Sequence, residues 1–76
     1  MDYFDRITRV PGVMGGKPCI RGMRITVGMI LGQIGSGESI EYLLDQYPDL
    51  EREDILQAMR YAAWRVSDSE LPLEAA

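Results

Sequence analysis

The run Gly15-Gly16-Lys17-Pro18-Cys19-Ile20-Arg21-Gly22-Met23-Arg24-Ile25-Thr26 constrains the fold more than any other stretch. Four of its twelve residues are Gly or Pro, so it cannot be a regular element. Ile20 and Ile25 flank the turn-like Arg21-Gly22-Met23-Arg24. That pattern predicts two short extended pieces joined by a tight turn at Gly22, which presents Arg21 and Arg24. Residues 3–10 carry β-branched and aromatic side chains and end at Pro11-Gly12, which suits a partner strand followed by a turn. Two short strands are unstable alone and must pack on something else.

What they pack on reads as helical. Thr26 can cap a helix over 27–36, with Val27, Ile30, Leu31 and Ile34 as its buried stripe. Gly28, Gly32 and Gly35 form a second face. It implies either a weak helix held by tertiary contacts or close approach of another backbone, across a dimer for example. Ser39 caps a second helix over 40–47, which Pro48 ends. A third helix is expected over 52–66. Leu50 and Ile55 would form a hydrophobic staple, and Glu51, Glu53 and Asp54 would sit in or beside the first turn, where the helix dipole favours negative charge. Periodicity assigns Ile55, Met59, Ala62, Ala63 and Val66 to its core face, and turns Gln57, Arg60, Tyr61 and Trp64 outward. The expectation is one domain over 1–66, mainly α, with a β element over 3–25 and a mobile tail over 67–76.

Seventy-six residues bury little surface, so a homodimer or a partner protein is the expected extra source of burial. Cys19 is the only cysteine and there is no His, which excludes the usual zinc clusters and any Cys–His pair. Cys19 reads as a small buried hydrophobe. No metal, cofactor or catalytic residue is expected, and neither is an enzyme. Gly15-Gly16-Lys17 is no phosphate loop, because Pro18 follows where Ser or Thr is needed. No apolar run suits a signal peptide or a membrane span, and the cytoplasm is the expected location.

The net charge of −4 is divided unevenly. Residues 1–25 hold five bases against two acids, and residues 26–76 hold three bases against ten acids. A polyanion should therefore meet the N-terminal lobe, through Arg6, Arg9, Lys17, Arg21 and Arg24. Arg60, Tyr61, Trp64 and Arg65 make a second candidate surface on the third helix, because Trp, Tyr and Arg are enriched at binding hot spots. The competing possibility is that Tyr61 and Trp64 cover the strands within the monomer. The last two helices could also form a helix-turn-helix, but acids occupy the end that would enter the major groove.

With these residues in view, the chain resembles the bacterial domain-of-unknown-function 433 family over about residues 5 to 66. The resemblance rests on the Gly15–Gly22 run, Arg24-Ile25, Leu43-Leu44 before Tyr47-Pro48, Glu53-Asp54-Ile55 and Tyr61-Ala62-Ala63. The chain departs from the family pattern at Gly28, Gly32 and Glu51. The resemblance implies a short β-hairpin followed by a three-helix, homeodomain-like bundle. It also implies an antitoxin that binds and inhibits a PIN-like ribonuclease toxin, with autoregulatory binding to operator DNA. A DNA-binding regulator without a toxin partner is the alternative.

Overall fold

The computed structural model describes residues 4–68. Two short strands, β1 (Ile7–Thr8) and β2 (Cys19–Ile20), pair antiparallel with Ile7 opposite Ile20 and Thr8 opposite Cys19. Three helices follow: α1 (Val27–Gly35), α2 (Ile40–Gln46) and α3 (Arg52–Asp68). This is the expected hairpin followed by three helices.

The Gly15–Thr26 run folds as its composition requires. Met14–Gly16 makes a 3-10 turn, and β2 then enters the tight turn over 20–23. Met23 N–H donates to the Ile20 carbonyl at 2.7 Å, and Ile20 N–H to the Ile25 carbonyl at 2.9 Å. Arg21 (φ 43°) and Gly22 (φ 75°) both occupy left-handed backbone. That is ordinary for glycine and uncommon for arginine, so other contacts must hold Arg21 there. Of the expected strand over 3–10, Ile7–Thr8 is strand among the described residues. Residues 4–6 form a turn, closed by Ile7 N–H on the Phe4 carbonyl at 3.0 Å, because Phe4 tucks against α3.

The helix starts carry the expected caps. Thr26 Oγ1 accepts from Met29 N–H and Ser39 Oγ from Tyr42 N–H, each at 3.0 Å. α1 ends one residue before its expected limit, as does α2, and α3 runs two residues past it, so Ser67 and Asp68 are helical. The rest of the expected mobile tail, 69–76, lies outside the described residues. Gly32 and Gly35 face open space, so no neighbouring backbone approaches there among the described residues. The core consists of Ile20, Val27, Ile30, Leu43, Leu50, Ile55, Ala58 and Tyr61, including both members of the staple.

One expectation fails clearly. α3 is rotated away from its expected orientation: Gln57 and Tyr61 are buried, while Met59, Ala63 and Val66 are exposed. The cause lies at the chain's start. Asp54, Gln57 and Tyr61 fall on one side of the helix, at spacings of three and four residues. That side receives the N-terminal segment. Phe4 packs edge-on against Tyr61 at 5.3 Å, and Arg6 N–H donates to Gln57 Oε1 at 2.7 Å. Gln57 Nε2 also donates to Asp5 Oδ1 at 3.1 Å, and a large aromatic with these two polar contacts outweighs the smaller apolar stripe.

Candidate functional site

The centre of the polar architecture is Asp54, whose side chain is 0% exposed. It stands three residues beyond Glu51 and caps α3 in reverse: Glu51 N–H donates to Asp54 Oδ2 at 2.8 Å. Arg6 Nη1 donates to Oδ1 at 2.8 Å. Arg21 grips both oxygens, with Nε on Oδ1 at 3.0 Å and Nη2 on Oδ2 at 2.8 Å. The bidentate fork fixes geometry as well as charge. Arg6 also reaches Glu51 Oε1 at 2.7 Å, and Arg21 Nη2 reaches the Asp49 carbonyl at 2.7 Å.

This clasp accounts for the left-handed Arg21. Its N–H donates to the Arg6 carbonyl at 2.8 Å, and Gly22 N–H to Thr8 Oγ1 at 2.8 Å. Backbone and guanidinium are thus tied to different elements. Burial alone would push the Asp54 carboxyl up, but hydrogen bonds from Arg21, Arg6 and Glu51 N–H outweigh it and hold the pKa at about 2. The Arg6 guanidinium is raised by its bonds to Glu51 and then Asp54, and Arg21 by its bond to Asp54. The clasp joins the hairpin to α3.

The five basic residues expected to meet a polyanion are therefore divided. Arg6 and Arg21 hold Asp54. Arg9, Lys17 and Arg24 are exposed, with Arg9 Nε on the Gly16 carbonyl at 3.3 Å and Arg24 Nη1 near Met14 Sδ at 3.9 Å. The structure brings Arg9 and Lys17 towards Arg65, since two adjoining cavities that share Pro18 and Gly28 are lined by all three.

The third-helix candidates also divide. Tyr61 is core. Trp64 is 49% exposed, 5.6 Å from Phe4 and 6.0 Å from Tyr61, so it edges the aromatic cluster without being enclosed. Arg65 lies over its ring at 5.6 Å. Arg60 pairs with Glu53 at 2.6 Å, an exposed pair of small energetic weight. α3 also carries an uncovered stripe of Met59 (38% exposed), Ala63 and Val66 (66%).

From sequence Asp54 is an ordinary first-turn acid and Gln57 an outward residue, whereas both are buried and hold the N-terminal segment. The available signal was a carboxylate three residues after a helix cap, with unassigned arginines elsewhere in a chain too small to leave them all on the surface. Among the described residues no group of three or more His, Cys, Asp and Glu could hold a metal ion, and no helix is long and apolar enough to cross a membrane.

The fold and clasp now have a relative to be set beside. A family model described as "Protein of unknown function (DUF433)" matches residues 7–62. The chain belongs to the DUF433 family. It is 36% identical over 56 residues to the uncharacterized protein y4eO of Sinorhizobium fredii, which covers 74% of this chain and 25% of that protein. The crystal structure of a DUF433 member protein from Anabaena variabilis matches with a TM-score of 0.78 at 33% identity, over 83% of this chain and 62% of that one. The chain thus spans about a quarter of the curated relative's length. The DUF433 match includes Arg21 and Asp54, whereas Trp64, Arg65 and Val66 lie beyond its end.

Proposed function

We propose that this DUF433 protein is an antitoxin-like inhibitor that docks a PIN-like ribonuclease on the outer face of α3. The observation that carries the reading is the uncovered Met59-Ala63-Val66 stripe, on the same helix as half-exposed Trp64. An amphipathic helix normally leaves polar residues on the side away from its core. Here one flank of the exposed side is apolar, next to the exposed Arg60–Glu53 pair, on a helix whose other side is already packed. A contiguous apolar strip of this kind marks an interaction surface. Trp64 supplies a large anchor, and Ala63 allows close approach at the centre. The PIN-like partner comes from the resemblance of the Gly15–Gly22 run.

Promoter binding through the N-terminal lobe is the second reading, favoured by exposed Arg9, Lys17 and Arg24. It draws less support, because Arg6 and Arg21 are committed to Asp54.

The test is co-expression with a PIN-like ribonuclease encoded beside this gene. Wild-type protein should co-purify with the nuclease and suppress RNA cleavage. Trp64→Ala and Ala63→Arg should each weaken capture by about tenfold or more, as loss of a hot-spot contact does. Both variants should keep melting temperatures close to wild type. Full inhibition by both folded variants, or no such nuclease beside the gene, would reject the reading.

A further inference from the structure

Apart from the α3 face, the molecule carries one groove of unusual composition. It runs between the start of α1 and the last turns of α3, as two adjoining cavities of about 300 and 480 Å³. Its floor includes Pro18, Val27 and Ala62, and its rim carries Arg9, Lys17 and Arg65. Gly28 lines both cavities, and without a side chain it leaves the α1 backbone open to approach. No acid is among the lining residues, although acids outnumber bases twelve to eight in the chain. Such a groove suits an extended segment with aliphatic side chains between carboxylates. A phosphate backbone suits it less, because most of the lining between the cationic residues is apolar.

The chain contains such a segment. Glu70-Leu71-Pro72-Leu73-Glu74 places three apolar residues between two acids. It follows α3 closely, and Arg65 and Val66, at that end of the helix, line the groove. Asp68 lies about 9 Å along the axis beyond Ala62, at about 1.5 Å per residue. An extended chain covers about 10 Å from position 68 to 71 and about 17 Å to 73. Both leucines can therefore reach the floor from the same chain, and a short tether gives the segment a high effective concentration there. We propose that the groove between α1 and α3 is the docking site for the chain's own segment 70–74, with Leu71 and Leu73 on the floor and Glu70 and Glu74 facing the cationic rim. The groove shares Val66 with the stripe of the nuclease reading, but its test leaves Trp64 and Ala63 untouched.

The experiment is amide NMR on the full chain. In Leu71→Ala/Leu73→Ala the signals of Val27, Gly28 and Ala62 should shift together, while those of Leu43 and Ile55 stay in place. Lys17→Glu should shift the groove signals the same way, and adding Glu74→Lys should move them back. Groove signals unchanged in the double leucine variant would overturn the proposal. So would a wild-type pattern that turns into the variant's on dilution, which would mean a second copy supplies the segment. A short DNA duplex that moves the groove signals equally in wild type and the leucine variant would assign the groove to nucleic acid instead.

Discussion

Asp54 shows how much one carboxylate can organise when it is wholly enclosed. Two guanidinium groups and a backbone N–H offset its desolvation, and no buried side-chain polar atom among the described residues lacks a partner. Replacing such a charge while its partners stay in place leaves those partners uncompensated. Asp54→Asn should therefore lower unfolding free energy by about 3 kcal/mol, read as a lower urea midpoint. A change below about 0.5 kcal/mol would show that water had replaced the carboxylate at little cost. The clasp also sets an acid limit. With the folded pKa at about 2 and the unfolded value in the ordinary Asp range, the unfolded chain binds more protons between those values. The contribution is present above about pH 4 and is lost as pH falls towards 2. It amounts to about 2 kcal/mol, and acid titration of Asp54→Asn should show a flatter profile over that range. None of this is visible in Glu51-Arg52-Glu53-Asp54, which reads as ordinary first-turn acids. Arg6 and Arg21 become partners only once the hairpin is laid on α3.

At the scale of elements, local signals were legible and rotations were not. Thr26, Ser39 and Pro48 act within a few residues of themselves, so they mark the starts of α1 and α2 and the end of α2 from sequence alone. The turn at Gly22 was legible for the same reason. The buried side of α3 depends on Phe4 and Arg6, which are remote in the chain, and apolar periodicity then selected the wrong stripe. That error has a use, because Met59, Ala63 and Val66 are apolar without being core. α1 supplies a test of its own. Gly32 lies inside the helix with nothing within 4 Å of where a Cβ would stand. Gly32→Ala should gain up to about 1 kcal/mol from helix propensity. That corresponds to a melting temperature higher by about 4–8 °C for a domain of this size. A lower value, or dissociation of an assembly seen for wild type, would show that this face is packed against another chain.

At the scale of the whole molecule, the charge imbalance along the sequence is partly cancelled by folding. The lobe of residues 1–25 carries five bases, but two of them face Asp54 and one of those also faces Glu51, both from the acidic part of the chain. What remains available to an outside polyanion is Arg9, Lys17 and Arg24. This bounds any nucleic-acid contact made through the lobe. Each phosphate neutralised contributes about −0.9 to the slope of log affinity against log salt on duplex DNA. Duplex binding through the lobe should therefore show a slope no steeper than about −3, where the five bases counted from sequence would allow about −4.5. Lys17→Ala and Arg24→Ala should each flatten the slope by about 0.9. Arg21→Ala should lower the melting temperature and leave the slope alone, since its charge is already spent on Asp54. A slope near −4.5 in wild type, flattened by Arg21→Ala, would mean that DNA draws Arg21 off Asp54. The clasp would then be a contact that DNA competes with, and DNA binding would destabilise the junction of hairpin and α3.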